Sequence, residues 1–485
     1  MGQSREKQLG QFFTPPEVAR TLVGWVVHDK RVRLLDPSCG DGRFLTCHPR
    51  SVGIEIDRDN AALARAQAPG ALVHEGDFFE WATQTAERFQ VAAGNPPFIR
   101  YQDFAGDTRI RALAYAERLG VKFSRLTSSW APFLVAAASL LRPNGRMAFV
   151  VPAEIGHATY APPLLEWLCA HFEHVRVVAF QQKLFPQLSE DAWLLYCAGY
   201  GSRSDAVYLN DFERFVADEP LPRFARRVEL STWRAAGRRL RRFLLPSESL
   251  ALYDELSARP EVVRLSEVGH AGIGYVTGAN DFFHVRPSTA KELGIPARLL
   301  RVAVRKAEQL PSVSVDRAAV DGWLMSDDPV MLLHLNGQDR LPDCLRRYLS
   351  SEHAERAKGT YKCRNRSPWY AVPDVRVPDA FLAYMSGLRP SLVRNDAGCV
   401  CTNSVHAVTL KAGVSVRAVQ EAWRSPLCEL SCELEGHPLG GGMLKLEPGE
   451  AANVRLPLGE VGLTSGEIET IRGGTAHARR WRHYG

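Results

Sequence analysis

Arg33-Leu34-Leu35-Asp36, followed by Pro37-Ser38-Cys39-Gly40-Asp41-Gly42, decides how the N-terminal half of the chain is read. A short apolar run has the length of a buried strand. It ends on a carboxylate, and the chain then passes through two glycines toward a helix. Glycine lets a ligand come close to the backbone there. Glu55 closes the next apolar run, where an acid can grip the hydroxyls of a ribose. The third glycine of a dinucleotide-binding G-x-G-x-x-G is absent, with Leu45 in its place. That argues against a nicotinamide cofactor.

Apolar runs continue outward from this turn. Strands are expected over Arg33–Asp36, Ser51–Asp57, Ala71–Glu75, Phe89–Gly94, Arg146–Val151, His174–Phe180 and Ala192–Ala198. Helices are expected from Pro15-Pro16 onward, over Asp57 to Ala68, and over Ser129 to Leu141, the last ended by Pro143-Asn144-Gly145. Strands alternating with helices predict a Rossmann-like α/β sheet, parallel, with helices on both faces. The alternation stops after about Gly201. We expect a first domain over 1–215, a basic connector over 216–247 and a mixed α+β domain over 248–485.

Two further turns carry chemistry. Gly76-Asp77-Phe78 follows the third strand, where Asp77 can accept from an exocyclic amine and Phe78 can cover a ring. Gly94-Asn95-Pro96-Pro97-Phe98 follows the fourth. Tandem prolines stiffen a loop and remove two backbone donors. The Asn95 amide oxygen and the Pro96 carbonyl remain as acceptors, able to hold an amino group by both hydrogens. Phe98 offers a flat face to an extruded base. Each acid alone could be a helix cap, and Asn-Pro-Pro alone a rigid turn. Their shared place at the C-terminal ends of successive strands, where such sheets bind ligands, favours a site.

The order of these pieces resembles the N6-adenine DNA methyltransferases of restriction–modification systems, in the gamma arrangement. Gly10-Gln11-Phe12-Phe13-Thr14-Pro15-Pro16-Glu17 is similar to that family's leading segment. The resemblance implies an S-adenosylmethionine-dependent methyltransferase sheet with a C-terminal target-recognition domain. It implies cofactor contacts from Thr14, Asp36, Ser38, Gly40, Gly42, Glu55 and Asp77, with Phe78 beside them. It implies catalytic contacts from Asn95, Pro96, Pro97 and Phe98, and a base-packing aromatic at Phe185 in Leu184-Phe185-Pro186. Double-stranded DNA is the expected partner, with a cognate restriction endonuclease encoded separately and the methyltransferase a monomer. The fragments Gly274 to Phe283, Cys363 to Tyr370 and Gly440 to Lys445 resemble recognition domains more loosely.

Composition fits this picture. The chain has 60 Lys+Arg against 54 Asp+Glu, a net charge of +6. The basic residues cluster. Arg238, Arg239, Arg241 and Arg242 fall in one run, and Lys362, Arg364 and Arg366 in another. Arginine-rich clusters suit phosphate. The longest mainly apolar stretch, Ala131–Leu141, is too short to span a bilayer. The N-terminus has no signal-peptide core, so a cytoplasmic location is expected. Ten cysteines are too sparse for a disulfide scaffold. Cys399, Cys401, Cys428 and Cys432 fit no common zinc spacing, and no metal is expected. Rival readings are an N-methyltransferase of RNA or of protein glutamine sharing Asn-Pro-Pro-Phe, an NAD-dependent oxidoreductase, and a non-catalytic DNA-binding relic. The first lacks a use for the large C-terminal half, and the second leaves Asn95–Phe98 unexplained.

Overall fold

The computed structural model describes residues 14–186, 191–336 and 340–484. Gly10 to Phe13 of the leading segment lie outside the described residues. The chain divides into two compact units, Met1–Leu245 and Pro246–Gly485.

Nine strands make the sheet of the first unit. They are β1 (Leu34–Asp36), β2 (Ser51–Glu55), β3 (Leu72–Glu75), β4 (Phe89–Gly94), β5 (Leu141–Pro152), β6 (Phe172–Phe180), β7 (Ala192–Tyr200), β8 (Ala206–Phe212) and β9 (Arg226–Glu229). Their order is β3-β2-β1-β4-β5-β7-β6-β8-β9. β1 to β5 pair in parallel, while β7 runs antiparallel between β5 and β6. Strand order therefore reverses between β1 and β4, where the chain leaves a crevice at the carboxyl ends of the two strands.

Among the described residues the first helix, α1 (Pro16–Val26), starts with proline in its first turn, where a missing N–H costs nothing. Val18, Leu22 and Val26 recur at helical spacing and pack on Val91 and Ala93 of β4 and on Ala148 and Val150 of β5. Ala92 and Phe149 alternate with these residues and are equally buried, so both sheet faces are covered. Next come α2 (Arg58–Gln67), α3 (Phe78–Gln84), α4 (Gly106–Arg118), α5 (Trp130–Ser139), α6 (Ala161–His171) and α7 (Leu230–Ala235).

All seven expected strands form, with shifted ends. The Pro143-Asn144-Gly145 turn does not separate helix from strand. β5 already begins at Leu141 and bulges outward at these residues, its register on β4 jumping between Phe89 and Val91. Asn144 takes the left-handed conformation at φ 62°, which asparagine tolerates better than most residues. Residues 216–247 are not a free connector either. Arg226–Glu229 is the edge strand β9, paired antiparallel with β8. The Arg226 guanidinium donates to the carbonyls of Phe243 and Leu245, tying the arginine-rich segment down.

The second unit is mixed α+β. A five-stranded sheet contains Gly269–Ile273, Ala380–Ala383, Ser391–Asn395 and His406–Leu410. A four-stranded sheet contains Leu300–Val304 and Met331–Leu333. The helix Ser465–Arg480 packs on Ser247–Ser257 and Pro426–Glu435. Ser249 Oγ donates to the Thr470 carbonyl at 3.0 Å, and Tyr253 Oη to Ser431 Oγ at 3.0 Å. Glu433, only 2% exposed, accepts from Arg482 at 2.7 and 2.9 Å and from Arg479 at 3.1 Å. Cys399 and Cys401 belong to one apolar core, Cys428 and Cys432 to another. No group of metal-ligating side chains occurs among the described residues.

Candidate functional site

The loops after β1, β2, β3 and β4 enclose a cleft of about 260 Å³ beside the reversal of strand order. Ser38 and Gly40 line it from the first loop, Glu55 from the second, Asp77 and Phe78 from the third, and Asn95 and Pro97 from the fourth.

Asp36 closes β1 beneath this cleft and is fully buried. One carboxylate oxygen accepts from the Ser38 N–H at 3.1 Å. The other is buried with no partner among the described residues. Burial pushes its pKa up to about 8, helped by the charges of Glu55 and Asp41 and opposed by the Ser38 N–H. Gly94 faces it across the reversal. A Cβ there would stand 2.7 Å from Asp36 Oδ1, so only glycine lets β4 pass this carboxyl.

Glu55 ends β2 and is 6% exposed. Its oxygens accept from the Gly40 N–H and the Asp57 N–H, each at 2.8 Å. Burial raises its pKa, and the backbone donors of Asp57 and Gly40 hold it back. The glutamate fixes the glycine turn and still lines the cleft. Gly40 takes φ +53° with open space where a Cβ would be, while at Gly42 a Cβ would stand 2.9 Å from Ala64 Cα in α2. Gly40 thus faces the cleft and Gly42 allows helix packing.

Asp77 is both cap and lining residue. Its carboxylate accepts from the Glu80 N–H at 3.0 Å, capping α3, and from Thr108 Oγ1 at 2.7 Å. Arg111 stands 3.7 Å away. Phe78 is stacked on Phe133, with ring centroids 5.3 Å apart.

The loop after β4 is held from outside. Ser38 Oγ reaches the Asn95 carbonyl at 3.4 Å. Ser129 Oγ accepts from the Ile99 N–H at 2.9 Å and donates to the Pro97 carbonyl, and the Ser129 N–H donates to the Ile99 carbonyl at 3.0 Å. Pro96 is buried, and Phe98 is half-buried against the core around α1.

Several expected residues lie elsewhere. Phe185 is 1% exposed inside the core that α1 covers, so its ring is not a free face for a base. Thr14 is buried, and its carbonyl accepts from Arg43 at 2.8 Å; it does not line the cleft. Arg366 donates to the carbonyls of Thr277 and Val276, both at 2.6 Å, and so serves structure. Lys362 and Arg364, on the short helix Tyr361–Arg364, are exposed and make no ion pair among the described residues. Arg239, Arg241 and Arg242 are half-buried, and exposed Arg238 stands 3.8 Å from Glu166. They are not one solvated basic face. Sequence reading missed Ser129, Thr108 and Phe133. Ser128-Ser129 before an apolar helix was the available signal for the first; single positions inside helices gave none for the others.

Residues 1–159 match the N-6 DNA Methylase family, and residues 238–473 match the family of the Type II methyltransferase M.Eco57I C-terminal domain. Type II methyltransferase M.AccI of Acinetobacter calcoaceticus is 21% identical, over 83% of this chain and 76% of its own length. Type II methyltransferase M.XamI of Xanthomonas campestris pv. amaranthicola is 22% identical, over 93% and 86%. Among solved structures, the Type IIL restriction-modification enzyme MmeI in complex with DNA has a similar fold. Its TM-score is 0.55 at 13% identity, over 94% of this chain and 68% of that one.

Proposed function

Because residues 1–159 and 238–473 put this chain among the N-6 DNA methylases that carry an Eco57I-type C-terminal domain, we propose that it methylates the N6 amino group of adenine at a specific duplex DNA sequence, using S-adenosylmethionine. One observation carries the reading. Asn95-Pro96-Pro97-Phe98 leaves β4 at the reversal of strand order, beside a cleft that also holds Glu55 and Asp77.

The residues fit the cofactor. Buried Asp36 keeps one oxygen without a partner under the glycine turn, and Gly40 leaves open space above it. Glu55 would take the ribose hydroxyls, Asp77 the adenine amine and Phe78 one side of the ring. S-adenosylmethionine would supply a methyl already activated on a sulfonium centre. The protein's share is then position and electrostatics.

Adenine must leave the duplex to reach this loop, at a few kcal/mol of unstacking. The Asn95 amide oxygen and the Pro96 carbonyl would accept its two amino hydrogens, turning the nitrogen lone pair out of ring conjugation. No covalent enzyme intermediate is needed. Phe98 would support the extruded ring from a partly packed position. Exposed Lys362 and Arg364 suit backbone phosphate in the second unit, which would carry target recognition.

The test is methylation-sensitive sequencing of DNA from a host expressing the chain. N6-methyladenine at one recurring sequence is expected. Methylcytosine, or methylated RNA with unmodified DNA, would overturn the reading.

A further inference from the structure

The tandem prolines restrict the backbone of the loop after β4 but leave it without N–H donors at 96 and 97, so the pair cannot anchor itself to the rest of the fold through its own N–H groups. Neighbouring elements do so instead. The Asn95 carbonyl lies 3.4 Å from Ser38 Oγ in the loop after β1. The Pro97 carbonyl accepts from Ser129 Oγ, just before α5. Ser129 also holds the Ile99 peptide at both its polar atoms, accepting from its N–H at 2.9 Å and donating its own N–H to its carbonyl at 3.0 Å. Between these two engaged carbonyls, the Pro96 carbonyl has no donor among the described residues. Ser129 is completely buried, and its hydroxyl is both donor and acceptor in this arrangement. Alanine could keep the backbone bond to Ile99 and would lose the other two.

We propose that Ser129 is a positioning residue for methyl transfer: its hydroxyl bridges the Pro97 carbonyl and the Ile99 N–H, setting the proline pair so that the Pro96 carbonyl, engaged by no donor among the described residues, is left to accept from the substrate amino group. The proposal rests on the transferase reading above. It adds that the acceptor geometry is imposed from α5 rather than by Asn95-Pro96-Pro97-Phe98 alone. Ser129 acts through the loop and contributes no proton to the reaction. The long contact from Ser38 makes it the lesser of the two supports.

The experiment uses the full chain with radiolabelled S-adenosylmethionine and a duplex containing the sequence that the wild type methylates. Single-turnover rate, KM for DNA, cofactor affinity and thermal midpoint are measured together. Ser129→Ala should lower the transfer rate about ten- to a hundredfold, as displacement of a reacting group by a fraction of an ångström to 1 Å does. KM for DNA and cofactor affinity should change less than about threefold. Ser129→Thr, which keeps the hydroxyl, should recover most of the rate. A purely structural role would instead lower the midpoint while leaving the rate per folded molecule unchanged, and that result overturns the proposal. Should Ser129→Ala fail to fold, Ser129→Cys, whose thiol is a weaker donor and acceptor, carries the test. It should slow transfer by a smaller factor without raising KM for DNA, and an unchanged rate overturns the proposal. A wild-type chain that transfers no methyl to any DNA sinks the transferase reading and this proposal together. A wild type that transfers, beside an equally fast Ser129→Ala, sinks this proposal alone.

Discussion

Asp36 puts the cleft at odds with stability. Burial holds its folded pKa at about 8 against an ordinary 3.8, and one of its oxygens has no partner among the described residues. The unfolded chain releases this proton at lower pH than the folded chain does. Stability is therefore fully present below pH 3.8 and is lost as pH rises toward 8, at about 1.4 kcal/mol for each pH unit crossed between the two values. Asp36→Asn keeps the shape without the charge. It should raise unfolding free energy by a few kcal/mol at pH 8 and by little near pH 4, read from urea denaturation at the two pH values. Equal gains at both would mean that the carboxyl is not held neutral. Asn95 has the opposite character, needed in the reacting complex rather than for folding. Asn95→Ala should cut kcat about a hundredfold or more, the scale seen when one donor or acceptor at a reacting centre is removed, with a thermal midpoint within a few degrees of wild type. An unchanged kcat at saturating DNA would remove Asn95 from the reaction.

Among the elements, what the sequence revealed and what it hid have physical causes. β2 is buried at every position and β4 nearly so, and parallel strands covered on both faces read as unbroken apolar runs. The turns that end them advertise themselves through glycine, proline and acid. β9 gave no such signal. Only Val228 of Arg226-Arg227-Val228-Glu229 is buried, so an edge strand looks like a charge cluster. Arg227 is spent on Asp205 and Glu229, both at 2.6 Å, rather than on a partner. Phe185 failed as a base contact for a related reason: an aromatic next to proline reads as a loop, and nothing local says that α1 will cover it. Charge clusters therefore have to be sorted by what each guanidinium already holds. On that basis Lys362 and Arg364 should carry more of the phosphate contact than Arg366. Changing both to Gln should flatten the slope of log affinity against log salt by up to about 1.8, at roughly 0.9 per phosphate neutralised, without altering which sequence is methylated. No change in slope would make the Tyr361–Arg364 helix a bystander.

Across the whole molecule, the division falls at Leu245/Pro246, which puts the segment from 216 to 245 with the first unit rather than between the two. A chain cut at 215 would strip β9 from β8 and expose an unpaired edge. A fragment of residues 1–245 should therefore be monodisperse and bind S-adenosylmethionine in calorimetry, whereas 1–215 should aggregate under the same conditions. Equal behaviour of the two would show that β9 contributes nothing to the sheet's integrity. The second unit is closed in another way. Its opening helix, Ser247–Ser257, lies against the late helix Ser465–Arg480, where Gly474 brings the backbones so near that a Cβ would stand 2.9 Å from Ser249 Cβ. Emerging from the ribosome, this unit cannot shut until some two hundred residues have followed its first helix, so chaperone demand should fall on this half of the protein. The same closure makes it a cassette. A unit whose first and late helices meet in one pair can be exchanged whole, its core travelling with it.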